Sequence, residues 1–394
     1  MLSVFIAIFA AVFADGFVTG ILDSMTRNAT KNQTGHVNIT TAEYRSRERF
    51  MPASAAIADS DAVVAALTAM PKLKGELALI EPRVRFGVAL SSPAGTKPAL
   101  GIGGEIEKER SLLMLDKTIL PGGAYLSGPG QAIVGWKLAG DLGLKIGDSL
   151  KVVAQKADYG LGFKKFRVVG IFETRVDAFD SAVFQVGIDD ARELLGLGRG
   201  ASQVLVMLKD YKEADRAAAA IARALDGKGG AQALSVRSWT SFGDVAALIG
   251  MTGGVYSFIE VFITFLGAFI IANIMMMVVL ERKREIGILK SMGMEKGRIL
   301  ALFLAEGTLL GAFGSAAGAI AGTLLNAYFG AKGMDISKLI GGTDYQMDNV
   351  IYPGVHPLHV LAFFALGAAV SALIAFLPSR SAARMDPIEA IRSV

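Results

Sequence analysis

Residues 255–280 read VYSFIEVFITFLGAFIIANIMMMVVL, an apolar run of 26 residues with Glu260 as its one charge. As a helix it would reach about 39 Å at roughly 1.5 Å per residue, more than the ~30 Å hydrocarbon core of a bilayer. Lipid offers the backbone no hydrogen-bond partner, so a run of this kind is satisfied only as a helix or inside a closed barrel. Residues 299–329 form a second such run, with Glu306 its only charge, and residues 358–377 form a third with none. The chain also opens on one, because residues 2–14 carry no charge. AVFA before Asp15 has the look of a signal-peptide cleavage site. However, no Lys or Arg precedes Arg27, and the apolar helical pattern continues through Phe17, Val18, Ile21, Leu22 and Met25. A membrane span is therefore predicted here. Its missing basic flank leads us to expect that the natural chain starts upstream of Met1.

Composition agrees with a membrane protein. Of the 394 residues 52% are hydrophobic and 19% charged, and the mean hydropathy is +0.47. The chain has no cysteine, which excludes a disulfide framework, a thiolate metal site and a Cys nucleophile. A net charge of +4, with no basic stripe interleaved with aromatics, argues against nucleic acid as a partner.

Charge then sets the orientation. The segment 281–298 holds Arg282, Lys283, Arg284, Lys290, Lys296 and Arg298, and the tail adds Arg380, Arg384 and Arg392. Short segments rich in Lys and Arg stay in the cytoplasm. The predicted fold class is thus an α-helical membrane protein with four transmembrane helices, and a large extracytoplasmic mixed α+β domain inserted between the first and second. The expected boundaries are 1–31 for the first span and its stalk, 32–245 for the external domain, and 246–280 for the second stalk and span. A cytoplasmic helix or loop follows at 281–298, then the third span at 299–330 and an external loop at 331–356. The fourth span is 357–377 and the cytoplasmic tail 378–394.

Within the external domain, 60–70 reads as a helix and 77–90 as a strand broken at Pro82. In 133–155, Trp136, Leu138, Ala139 and Leu142 give one helix face, Gly143 ends the helix, and Gly147-Asp148 turns into a strand alternating at Leu150, Val152 and Ala154. A partner strand is predicted at 166–172, and a further strand and helix at 203–208 and 211–225. The glycine-rich stretches 101–105, 128–135 and 196–200 lack the P-loop and dinucleotide patterns and read as turns. His356 and His359 read as belt residues at the head of the fourth span rather than as metal ligands. No catalytic constellation is legible, so no enzyme active site and no metal site are expected.

The segment 281–300, ERKREIGILKSMGMEKGRIL, combines an apolar strip of Ile286, Leu289, Met292 and Met294 with surrounding charge. Either it lies on lipid headgroups as a solvated turn, or it docks on a soluble protein. LERKREIGILKSMGMEKGRILALFLAEG (280–307) resembles the signature of the FtsX-like permeases, roughly E-R-x-x-E-I-G-x-L-[KR]-[AS]-[ILM]-G. FLPSRSAARMDPIEAIR (376–392) resembles their closing motif. VGWKLAGDLGLKIGDSLKVV with FRVVGIFETRVDAFDSAVF, and GHVNI at 35–39, resemble the periplasmic domain of MacB-type and LolC/LolE-type permeases. The resemblance covers the whole chain in order.

It implies an ABC transporter permease subunit in the bacterial inner membrane, closest to the LolC/LolE lipoprotein-releasing type. Glu281, Glu285, Ile286, Gly287, Leu289, Lys290 and Gly293 would form a coupling segment seated in a groove of the ATPase. The chain has no P-loop, and nothing precedes Met1 here, so a separate ATPase chain in two copies is expected. ATP and Mg would be bound by that ATPase, with no cofactor in this chain. The other implied partners are a second copy or a paralogous permease, a periplasmic chaperone or adaptor, and a lipid or lipoprotein substrate. MacB-like export of drug, peptide or lipid, and FtsX-like signalling to a cell-wall hydrolase, are the alternatives. Gly307, Gly311, Gly314, Gly318 and Gly322 make a small-residue strip suited to close helix packing between two subunits. Asn273 and Glu306 are the polar residues expected at membrane depth.

Overall fold

The computed structural model describes residues 2–71, 73, 75–174, 176–226, 232–243, 247, 250–259, 261, 262, 265, 269, 277, 281, 283–336 and 350–384. The chain divides into two units. One comprises Met1–Met25, Ile249–Leu339 and Asp348–Val394, and the other Thr26–Leu248 and Ile340–Met347. The first helix, α1 (Leu2–Ala29), closes with a π-turn at Thr30–Thr34.

Nine strands follow among the described residues of the second unit: β1 (Val37–Thr41), β2 (Leu77–Ser92), β3 (Gly95–Gly104), β4 (Gln131–Gly135), β5 (Ser149–Gln155), β6 (Leu161–Phe172), β7 (Val183–Gly187), β8 (Gln203–Leu208) and β9 (Leu234–Ser238). Their order is β3-β7-β4-β6-β5-β2-β8-β1-β9, and β2 also pairs β3. Six strands therefore return on themselves as a barrel, which leaves that part no free edge. Val84, Phe86 and Leu90 of β2 fill its core with Val134, Leu150, Phe166 and Phe184. The remaining strands extend the first half of β2 as an antiparallel sheet, β2-β8-β1-β9. Helix α2 (Ser60–Thr68) covers this sheet.

Between these lie α3 (Ile106–Leu113), α4 (Trp136–Asp141) and α5 (Ile188–Leu195), and α6 (Ala214–Leu225) follows β8. Val63 and Leu67 of α2 pack with Ala217, Ile221 and Leu225 of α6 against Val37, Ile39, Val204 and Val206. The α4-to-β5 unit matches its expected turn chemistry, with positive φ at Gly143 (59°) and Gly147 (98°), backbone that glycine adopts without strain.

Two readings change. β2 is not broken at Pro82, which pairs Val204. What changes there is the partner, since β8 pairs β2 as far as Arg83 and β3 pairs it from Val84. Proline's missing donor falls where the ladder passes between neighbours. Residues 101–104 are likewise not a turn but the end of β3. A Cβ at Gly101 would stand 2.5 Å from Phe86 Cζ, so the glycine leaves room for a core ring. Of the stretch 128–135 only 128–130 turns, with positive φ at Gly130, because Gln131–Gly135 is β4. The stretch 196–200 does turn, with positive φ at Gly196 and Gly198.

In the other unit, α7 (Lys283–Ser291), α8 (Lys296–Lys332) and α9 (Pro357–Arg384) join the start of α1. Among the described residues, three helical segments are long and apolar enough to cross a membrane: Leu2–Thr34, Lys296–Lys332 and Pro357–Phe376. The predicted second span, 255–280, lies largely outside the described residues, Asn273 included. Both α8 and α9 outrun the expected spans, α8 starting at Lys296 rather than 299 and α9 reaching Arg384 rather than 377.

All five glycines of the α8 strip are buried. At Gly311, Gly318 and Gly322 the strip packs against helices of its own chain, where the sequence suggested packing between two subunits. A Cβ on Gly318 would lie 2.6 Å from Phe5 O and 3.0 Å from Phe9 N of α1, and one on Gly322 would crowd Val12. Gly311 is filled in the same way by Ser371 of α9. Small-residue spacing reports that a backbone comes close without saying whose. Gly318→Leu is therefore expected to destabilise the single chain by about 1–3 kcal/mol through overpacking, read as a lower unfolding temperature in detergent. An unchanged transition would mean that lipid, not α1, covers Gly318.

Candidate functional site

The loop between the second and third apolar runs folds locally. α7 ends in a Schellman motif: Gly293 N–H donates to Lys290 O at 3.0 Å and Met294 N–H to Leu289 O at 3.2 Å, with Gly293 at φ 91°. A glycine there lets the chain reverse into α8 and satisfies carbonyls that the helix end leaves open. The reversal folds α7 back on α8, where Ile286 and Ile299 are fully buried beside Phe303, with Met294 and Leu300 partly buried around them.

This divides the expected coupling residues. Glu281 and Glu285 are exposed, and Leu289 and Lys290 are half-buried. Gly287 lies within α7. Ile286 is enclosed by its own chain, so the expectation that it enters a partner's groove does not fit this packing. The exposed apolar residues are instead Ile288 (46% exposed) and Met292 (71%). Helical spacing puts Glu281, Glu285, Ile288 and Met292 on one stripe. Two carboxylates and two uncovered apolar side chains beside a fixed turn form a surface suited to docking.

The apolar helices hold polar groups besides those expected. Glu306 is half-buried. Asp15 and Asn326, which the sequence reading passed over, are buried. Asn326 Nδ2 donates to Val12 O at 2.7 Å, tying α8 to α1. Asp15 Oδ1 lies 3.0 Å from His359 Nδ1, tying α1 to α9. An Asp in an apolar run was the available signal, but only the fold supplies its partner.

In the other unit, a polar cluster holds the end of α1. Arg83 of β2 and Glu109 of α3 are both fully buried and form a two-pronged pair, Nε–Oε1 2.6 Å and Nη2–Oε2 3.0 Å. Arg83 Nη1 donates to Lys31 O at 3.2 Å and Asn32 O at 3.0 Å. A guanidinium at a helix C-terminus meets both its open carbonyls and its negative dipole end. Gln185 donates to Glu109 at 3.4 Å and accepts from Tyr125 Oη at 3.0 Å.

Beside this pair, Glu81 Oε1 accepts from Glu105 N–H at 2.7 Å. Burial, and then the Glu109 carboxylate, push the Glu81 acid up to about 9, so it is neutral at pH 7. His36 accepts from Leu208 N–H at 2.9 Å, and burial lowers it to about 4. The two oppose each other in pH. Raising the pH from 4.5 through about 9 costs the fold, because folded Glu81 must give up a proton that the unfolded chain already lost near 4.5. Lowering the pH from 6.5 through about 4 also costs it, because His36 must take one up. Their slopes cancel where they overlap, so the net loss falls above pH 6.5, at up to about 1.4 kcal/mol per pH unit. Glu81→Gln should flatten the decline in unfolding temperature between pH 6.5 and 9. An equal decline in the variant would place the titrating group elsewhere.

Residues 1–224 match the family model for the MacB-like periplasmic core domain, and residues 257–387 match that for the FtsX-like permease C-terminal region. An uncharacterized ABC transporter permease of Methanocaldococcus jannaschii is 30% identical over 64% of this chain and 59% of its own length. The chain thus spans under two thirds of that relative. The lipoprotein-releasing system transmembrane protein LolC of Neisseria meningitidis is 25% identical over 77% of this chain and 75% of its own. The macrolide export ATP-binding/permease protein MacB of Shewanella oneidensis is 32% identical over 31% of this chain and 16% of its own.

Proposed function

Because the chain belongs to the ABC transporter permease family that joins a MacB-like periplasmic core domain to an FtsX-like C-terminal region, we propose that it is the membrane subunit coupling a separate ATPase to release of lipoprotein from the bacterial inner membrane. In this reading four helices span the membrane, 255–280 supplying the second, and the nine-strand domain lies in the periplasm. Two ATPase chains bind ATP and Mg, and two permease chains, identical or paralogous, pair above them. The stripe of Glu281, Glu285, Ile288 and Met292 beside the Gly293 turn is the observation that carries this reading. It gives a soluble partner an anchor of two apolar side chains flanked by charge.

Lipoprotein is the favoured substrate because similarity to LolC runs over most of the chain, whereas that to MacB covers a third. Export of a drug, peptide or lipid is the second reading, favoured by the MacB match.

The test is isolation of the tagged chain from the membrane in mild detergent, followed by reconstitution with the ATPase that co-purifies. We expect ATP-dependent transfer of an acylated lipoprotein from the vesicle to a soluble acceptor. Efflux of a small compound without such transfer would favour the second reading, and the absence of any co-purifying ATPase would end both. Topology is checked on the same protein. A cysteine at Ser127, which is exposed, should react with an impermeant reagent from the periplasm. One at Ser291 should react only after the membrane is opened.

A further inference from the structure

Just beyond the carbonyls held by Arg83, the domain contains a cavity of about 610 Å³. Gln33 lines it on the incoming chain and Phe242 and Gly243 on the outgoing one, so it lies where the chain enters and leaves this unit. Four arginines face it, Arg45, Arg49, Arg85 and Arg237, against one carboxylate, Glu48. None of the four guanidiniums forms an ion pair among the described residues.

Two of them are left incomplete. Arg85 Nε and Arg45 Nη1 are buried without a hydrogen-bond partner. Arg45 and Arg237 both lie 5.0 Å from the centre of the Phe242 ring, a contact that holds a cation in place without neutralising it. Arg237 also donates to Ser241 O. Burial lowers the affinity of Arg85 for its proton, and nearby Arg83 opposes its charge as well. Burial likewise raises the Glu48 acid, and the Arg85 charge opposes that rise.

Buried donors are normally satisfied, and an excess of guanidinium charge in a concave site calls for an anion. Guanidinium forks match the oxygens of phosphate two at a time. We infer that this cavity binds a phosphate group, carried either on a lipid headgroup or free in solution. The volume falls within the ~300–1,000 Å³ range of small-ligand pockets and leaves space for more than a bare phosphate. Binding here requires no particular transported substrate.

The test uses the full chain in nonionic detergent at low salt, titrated calorimetrically with dihexanoyl phosphatidylglycerol, with inorganic phosphate, and with dihexanoylglycerol as the phosphate-free control. We expect saturable binding of at least one phosphate probe, none of the control, and weakening at high salt. Binding of the lipid alone assigns a headgroup site, binding of inorganic phosphate alone assigns a soluble anion, and binding of both shows that phosphate itself is recognised. Arg45→Gln/Arg49→Gln should weaken binding at least tenfold. Arg49 is exposed, so Arg49→Gln alone reports on a folded chain, with a smaller loss expected, should the double variant misfold. The inference is overturned if neither phosphate probe binds, if the control binds equally, or if folded Arg49→Gln and the double variant both match the wild type.

Discussion

Arg83→Met should unfold the nine-strand domain about 3–5 kcal/mol more easily than the wild type, the usual cost of stripping one partner from a buried ion pair. Glu109 is fully buried and would lose both of its guanidinium bonds. The carbonyls of Lys31 and Asn32 would lose their donor in the same step. The double variant Arg83→Met/Glu109→Leu removes the stranded carboxylate and should recover much of the loss, because apolar replacement of a whole buried pair is often neutral. Denaturant unfolding of the full chain in detergent reads both effects. Amide exchange should also rise at residues 31–34 in the double variant, since the carbonyls there still lack Arg83. If the single variant costs less than about 1 kcal/mol, water already reaches the pair and the clamp is a surface contact.

The second large effect concerns the cytoplasmic stripe. Ile288→Asp places a carboxylate where an apolar contact is proposed, and Glu285→Lys reverses a charge beside it. Loss of a central anchor commonly exceeds 2 kcal/mol, so ATPase affinity should fall by more than about tenfold. Both side chains point away from the chain's own packing, so abundance and folding should be unchanged. Ile286→Ala supplies the contrast. It empties space against Ile299 and Phe303, and should destabilise the α7–α8 turn by about 2–5 kcal/mol. Co-purification of the ATPase with each variant separates the two. Full binding by Ile288→Asp and Glu285→Lys would leave the stripe a solvated surface.

These variants also mark how far the sequence could be read. Apolar runs and basic loops gave away three helices, because lipid imposes strict requirements on length and charge. Alternation at Leu150, Val152 and Ala154 located β5 for the same kind of reason, since one face of it is buried. The apolar strip of α7 was equally plain, yet periodicity states only that Ile286 needs cover, not whether its own chain or a partner supplies it. The glycine strip of α8 carries the same ambiguity. Glu109 lies in EIEKER, which looks like any solvated helix, and nothing local sets it apart from Glu107. Its burial depends on Arg83, 26 residues earlier, and on Gln185, 76 residues later. Only the strand order brings them together.

The pairing of β1 with β9 bears on how the domain yields to pull. Val37 stands opposite Ser238 and Thr41 opposite Leu234, so the incoming and outgoing chains sit side by side at one end of the same antiparallel ladder. Tension that draws them apart falls first on the pair at Val37 and Ser238, then on each successive rung, so resistance is that of one rung at a time. Tension shared by both chains puts no such load between them and passes to β8, to which β1 is bonded along its other edge. The base of the domain is in this sense a zipper with both tabs at one end, compliant to spreading and stiff to a common tug.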